Sequence, residues 1–94
     1  LDPKTYNLSP AAIEKNITSK TRAIMAVHLA GNPCDMKAIK AIADKHKIFI
    51  IEDCAQAHGT TYDGKPVGSI GHVGCYSFNE FKHIACGDGE SYGA

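Results

Sequence analysis

Ile48-Phe49-Ile50-Ile51-Glu52-Asp53-Cys54-Ala55-Gln56-Ala57-His58-Gly59 is the stretch whose reading decides the fold. Four apolar residues in a row, entered from Lys47 and left through two acids, predict a strand buried on both faces; a half-wet strand would alternate. Upstream, Arg22 to Leu29 carries Ala23, Ile24, Met25, Ala26 and Val27 and reads as another buried strand, broken by Gly31-Asn32-Pro33. Between the two, Asp35 can cap a helix from Met36 to about His46, with Met36, Ile39, Ile42 and Ala43 at helical spacing. Strand, helix and strand of these lengths form a βαβ unit, so the two strands are expected to be parallel with a right-handed crossover.

Outward from that unit the chain reads as follows. Leu1 to Leu8 is an extended lead-in. Ser9-Pro10 supplies an N-cap and a proline at the first helical position, predicting a short helix from Pro10 to about Asn16 with Ile13 inward. After Asp53, Cys54 to Ala57 suits a short helical turn that His58-Gly59 ends. Thr60-Thr61-Tyr62 and Lys65-Pro66-Val67 flank Asp63-Gly64, a two-residue hairpin signal. Gly68-Ser69-Ile70-Gly71 is a turn, and Val73 to Phe78 is a third buried strand. Asn79 onward leaves the sheet, and from Gly87 the apolar pattern is lost. The expected fold is α/β, three-layer, with a mostly parallel sheet.

The chain has 94 residues and no initiator Met, which suggests a piece cut from a longer chain. A domain of this size can bury only a modest core. Ten Lys plus Arg balance ten Asp plus Glu, which argues against nucleic acid or an anionic membrane as main partner. No apolar run approaches the ~20 residues of a membrane span. The polar start Leu1-Asp2-Pro3-Lys4 is no signal peptide, so a cytoplasmic location is expected. Cysteines stand at 34, 54, 75 and 86 without a C-x-x-C pair, consistent with reduced thiols. Zinc could be drawn from Cys54 with His58, His72 with Cys75, or His83 with Cys86. However, structural zinc ligands come in tighter pairs, and Cys54 and Cys75 sit in apolar settings where free Cys packs as a small hydrophobe.

Asp53 lies at the carboxyl end of its strand, where open parallel sheets place ligands. It can serve as a functional acid, as an N-cap for the turn that follows, or as both. Lys82 follows the third strand by four residues, among Tyr76, Phe78 and Phe81 and ahead of Gly87-x-Gly89. It is either a solvated surface charge or an amine whose aromatic surroundings keep it partly desolvated and nucleophilic. An acid and a lysine so placed are the pair that a pyridoxal 5'-phosphate (PLP) enzyme needs. The carboxylate keeps the pyridine nitrogen protonated, and the amine forms a Schiff base with the aldehyde. Ser77 suits a phosphate contact or an ordinary strand serine. His28 reads as a satisfied structural histidine, His58 as a residue near the Gln56 segment, and His83 as a possible neighbour of phosphate or substrate. Tyr62 and Tyr76 read as packing residues. A dinucleotide site is disfavoured because no G-x-G-x-x-G joins the first strand to its helix.

Glu52-Asp53-Cys54-Ala55-Gln56, Gly68-Ser69-Ile70-Gly71 and Ser77-Phe78-Asn79-Glu80-Phe81-Lys82, preceded by Val27-His28-Leu29-Ala30-Gly31 and Cys34-Asp35-Met36, form an ordered set. This set resembles the DegT/StrS family of PLP-dependent, fold-type-I sugar aminotransferases, from about Leu1 to Gly89. The resemblance implies that residues 1–94 are a central part of the large, PLP-binding domain, without its N-terminal part and the C-terminal small domain. It implies that Asp53 pairs with the ring nitrogen, Gln56 lies against the ring or its hydroxyl, Ser77 binds phosphate, and Lys82 carries the Schiff base and shuttles protons. The implied reaction is ping-pong transamination of a keto-sugar, typically nucleotide-linked, with glutamate or glutamine as donor, in a homodimer. The isolated 94-residue chain is expected to be inactive. Aminohydroxybenzoate-type and aminocyclitol PLP enzymes, or a non-catalytic α/β remnant, remain alternatives. In some relatives histidine replaces the lysine and gives a dehydratase, a chemistry that Lys82 disfavours. After Gly89 the chain departs from the family pattern, which has a further glycine and an apolar strand.

Overall fold

Three parallel strands and one antiparallel strand carry the molecule. The computed structural model describes residues 1–87 and 89–93. In chain order these form α1 (Pro10–Asn16), β1 (Ala23–Val27), α2 (Met36–His46), β2 (Phe49–Asp53), a small hairpin of β3 (Thr61–Tyr62) and β4 (Lys65–Pro66), β5 (Val73–Ser77) and β6 (Glu90–Gly93). The main sheet runs β1-β2-β5-β6. The β1–β2 and β2–β5 pairs are parallel and β5–β6 is antiparallel. The βαβ unit, both helices and the hairpin stand where the sequence puts them.

Local chemistry explains the helix limits. The Ser9 hydroxyl accepts from Ala12 N at 3.4 Å, and Pro10 occupies the first turn, where its missing N–H is not needed. Asp35 Oδ1 accepts from Ala38 N at 3.2 Å and opens α2. Lys45 and His46 fill the last turn, where positive charge suits the helix dipole, and Lys47 closes it at φ 55. The hairpin turn uses Asp63 at φ 51 and Gly64 at φ 78, both left-handed as a tight two-residue turn requires.

The main core lies on one face of the sheet. Ile24, Ala26 and Ile50 point to it from β1 and β2, and Ile13, Met36, Ile39 and Ala43 meet them from the two helices. Each large aliphatic buried there contributes about 1.5–3 kcal/mol. The other face of β1 and β2 is open: Met25 is 58 % and Phe49 64 % exposed. The burial expected on both faces is therefore met on the helix side only, because both substantial helices lie on that side.

Two local expectations are corrected, and a third, the turn after β2, is met. The first strand is shorter than Arg22 to Leu29: it stops at Val27, and Leu29–Gly31 forms a 3-10 turn with Ala30 at φ 51. Cys54 to Ala57 is the single turn expected, closed by Ala57 N donating to Cys54 O at 3.0 Å. The C-terminal segment, read as patternless, forms β6. Its side chains are all exposed, so it left no apolar period to read. The backbone edge of β5 imposes it, with Ser77 opposite Glu90 and Cys75 opposite Tyr92.

The open apolar face predicts self-association of the 94-residue chain. Light scattering should give a mass above the monomer, and replacing Met25 and Phe49 together by Lys should return it towards the monomer. A wild-type chain that stays monomeric as concentration rises would contradict this.

Candidate active site

The carboxyl end of the sheet gathers the polar residues singled out above. Asp53 is the last residue of β2, opposite Val27 of β1 and Cys75 of β5. Its carbonyl accepts from His28 N at 3.1 Å and its Oδ1 from Ala55 N at 3.0 Å. The capping role of Asp53 is thus present, and it uses one carboxylate oxygen. The second oxygen has no protein partner among the described residues. Strand alternation turns Asp53, Cys75 and Ser77 to the same sheet face, away from the helices.

Gln56 follows on the turn. Its Oε1 accepts from Ala30 N at 2.9 Å, and Thr60 Oγ1 donates to Gly31 O at 3.0 Å. These bonds dock the turn after β2 onto the turn after β1 and leave the Gln56 amide N–H₂ group without a protein partner among the described residues. Past β5, Ser77 Oγ accepts from Asn79 N at 3.4 Å, Asn79 Oδ1 from Phe81 N at 3.2 Å, and Asn79 O from Lys82 N at 2.9 Å. This chain of turns places Lys82, partly buried, in a cavity of about 480 Å³ lined also by Gln56, Ala30, Ala55, Phe81 and His83. Lys82 has no ion-pair partner among the described residues.

Of the four predicted site residues, the structure brings Gln56 and Lys82 into one cavity. Asp53 adjoins it through the Ala55 hydrogen bond. Ser77 lines a neighbouring cleft with Asn79, Gly89 and Glu90. No hydrogen bond or ion pair joins Asp53 to Lys82 among the described residues. Of the aromatic residues expected around Lys82, Phe81 lines its cavity and Tyr76 does not. Phe81 is 87 % exposed, and Tyr76 turns to Val67 O at 2.6 Å, packing with Cys54, Ala57 and Val67.

Beside Asp53, Glu52 points to the opposite face and is fully buried. Its Oε2 accepts from Gly68 N at 2.7 Å and from His28 Nε2 at 3.0 Å; its Oε1 accepts from Ile70 N at 2.8 Å and from Gly71 N. Burial alone would raise this carboxyl. The His28 bond and the backbone N–H groups of Gly71, Gly68 and Ile70 outweigh it and hold the pKa below its ordinary 4.5.

His28 in turn accepts from Cys34 N at its Nδ1, at 3.0 Å. Burial draws the His28 pKa down, and hydrogen bonds with Cys34, Cys54 and Glu52 draw it up, with a net upward pull. A second ring proton, however, would sit on Nδ1 against the Cys34 N–H. The geometry therefore keeps the ring neutral, with its proton on Nε2, and leaves the negative charge on Glu52.

His28 is thus a satisfied structural histidine, as read. Glu52 is the residue that the sequence reading passed over. The signal was its parity with Ile24, Ala26 and Ile50: a glutamate on the buried face must have partners. His28, Glu52 and Cys54 also bring ligand-type atoms within 4.8 Å of one another. The four N–H groups already occupy the Glu52 oxygens, so this trio is a poor metal site. Among the described residues, the zinc pairs weighed from the sequence form no metal cluster.

The sequence model of the DegT/DnrJ/EryC1/StrS aminotransferase family matches residues 1–91. A curated relative, dTDP-3-amino-3,6-dideoxy-alpha-D-galactopyranose transaminase of Aneurinibacillus thermoaerophilus, is 56 % identical over 77 residues, covering 82 % of this chain and 21 % of its own length. The X-ray structure of the aminotransferase from Psychrobacter cryohalolentis superposes with a TM-score of 0.91 at 53 % identity, over 94 % of this chain and 22 % of that one. The E. coli GDP-4-keto-6-deoxy-D-mannose-3-dehydratase with bound hydrated PLP superposes at 0.83 with 31 % identity, over 92 % and 22 %. The chain spans between a fifth and a quarter of these proteins.

Glu52→Gln should cost about 3 kcal/mol, because an amide N–H₂ in place of one carboxylate oxygen would face backbone N–H donors and leave buried donors unpaired. The pH dependence has a fixed sign. A carboxyl whose pKa is lowered on folding stabilises the fold fully above the ordinary value of 4.5 and progressively less as pH falls below it. Thermal melts from pH 7 to pH 3 should show this acid limb, flattened in the variant. An identical acid limb in Glu52→Gln would assign it to other groups.

Proposed function

The chain belongs to the DegT/DnrJ/EryC1/StrS aminotransferase family, and on that footing we propose that it is the cofactor-binding part of a PLP-dependent aminotransferase. The amine acceptor in this reading is a keto-sugar carried on a nucleotide, in line with the 56 % identical relative, a dTDP-amino-sugar transaminase. Glutamate or glutamine supplies the amine, and the working unit is a cytoplasmic homodimer. The observation that carries the reading is the shared cavity of Lys82 and Gln56 at the carboxyl end of the sheet, adjoining Asp53.

The residues fit the cofactor. Asp53 offers a carboxylate with one oxygen anchored and the other open, which suits a ring N–H. Gln56 offers amide hydrogens beside it, and the Ser77 hydroxyl, an acceptor towards Asn79 N, keeps its own proton to donate to a phosphate oxygen. Lys82 supplies the amine that attaches the cofactor. When bound, PLP supplies an electron sink for the carbon that loses its proton.

The chain's own groups do the remaining work. Asp53 holds a proton on the ring nitrogen by presenting a fixed negative charge to it. Its caps, Ala55 N on one oxygen and His28 N on the carbonyl, keep that charge in place. Lys82 Nζ takes a proton from the substrate carbon and returns it elsewhere, as a general base and then acid. The presence of Lys82 separates this reading from dehydration.

In the full-length protein, Asp53→Asn should leave covalent capture of PLP at Lys82 largely intact, as read by borohydride reduction and peptide mass. Amination should fall roughly 100-fold or more, the size of losing one preorganised electrostatic group. Near-normal turnover would reduce Asp53 to a cap.

A further inference from the structure

His58 contributes something that no part of the proposed mechanism uses. In the parallel β2–β5 ladder, Cys54 N donates to Cys75 O at 2.8 Å. Parallel ladders are evenly spaced, so on a continuing strand the next bond would run from Gln56 N to Ser77 O. The chain turns before that, with Ala55 N given to the Asp53 carboxylate. The Ser77 carbonyl therefore loses its ladder donor at the point where β5 ends. His58 Nε2 takes that place at 2.8 Å. A carbonyl only accepts, so the ring proton lies on Nε2. The ring is partly buried, with the Tyr76 and Phe78 rings at centroid distances of 5.6 and 5.4 Å and His83 at 6.1 Å. On the far side of β5, Phe78 N donates to Gly89 O at 2.7 Å, so the end of the strand is gripped from both sides.

We propose that His58 is a positioning residue. It extends the sheet by one side-chain hydrogen bond and fixes the segment from Ser77 to Lys82 against the turn that carries Asp53 and Gln56. The path is continuous: His58 to Ser77, Ser77 Oγ to Asn79, and Asn79 to the Lys82 backbone. The Lys82 amine thereby keeps its distance from the Asp53–Gln56 turn without touching His58. The consequence for catalysis rests on the PLP reading above; the consequence for the segment does not.

The test compares His58→Leu, which removes the donor, with His58→Gln, whose amide nitrogen can reach the same carbonyl. Two readouts are taken on the full chain: amide hydrogen exchange by mass spectrometry, and the amount of PLP trapped on Lys82 by borohydride. His58→Leu should speed exchange across residues 78–84 about tenfold, the loss of one hydrogen bond, and leave 36–46 unchanged. It should lower PLP capture by a similar factor. His58→Gln should stay within about threefold of wild type in both. Unchanged exchange at 78–84 in His58→Leu would overturn the proposal, as would a His58→Gln variant as impaired as His58→Leu. If the leucine variant does not fold, the glutamine variant decides alone: wild-type exchange and capture support the donor role, and impairment refutes it. If wild type traps no PLP while exchange behaves as expected, the cofactor reading fails and the positioning role stands.

Discussion

Everything at the carboxyl end of the sheet depends on the buried carboxylate of Glu52. A charge in that position is tolerable only if protein donors replace the water it has lost. Four do: the His28 ring and the backbone N–H groups of Gly68, Ile70 and Gly71. Because Glu52 sits in the central strand β2, these bonds tie down the exit of β1 through His28 and the entry to β5 through the 68–71 loop. Moving that loop would strand the charge. The start of β5 is therefore fixed, and with it the residues at its far end, Ser77 and, through the Asn79 turn, Lys82.

Two adjacent acids do different work because a strand alternates. Glu52 faces the interior and is spent on structure. Asp53, one residue on, faces the other side, with one oxygen capping the turn and the other open. The pair shows why the sequence reading went only half way. In sequence Glu52-Asp53 reads as one acidic motif, and position alone marks only the acid at the strand end. Parity with Ile50 would have marked Glu52 as buried, and His28, two past the buried Ala26, as its partner.

What was legible was what local chemistry dictates. Both caps, the proline at the first turn of α1, the Asp63-Gly64 turn and the strand–helix–strand unit need only near neighbours, and each formed as read. What was not legible depended on distant backbone. The β6 strand exists because β5 has an unfilled edge, and its exposed side chains carry no trace of that. The aromatic surround drawn around Lys82 assumed that neighbours in sequence are neighbours in space. Instead, Tyr76 was drawn to the Val67 carbonyl and the small cluster of Cys54, Ala57 and Val67.

That small cluster explains how the site end of the sheet stays open. The large apolar core lies under β1 and β2, where α1 and α2 supply bulk. Among the described residues, no helix packs over β5. Gly74, opposite Glu52, lets the 68–71 loop take the helix's place: a side chain there would collide with the Gly68 backbone. Gly68 itself sits at φ 90 against the Tyr76 hydroxyl, where any larger residue would be both strained and crowded. A loop held by hydrogen bonds thus covers this part of the sheet thinly. Polar bonds to Glu52, more than apolar volume, hold the carboxyl ends of β2 and β5 together. Such a frame is rigid where the backbone is gripped and leaves space beyond it, which is where Gln56 and Lys82 meet.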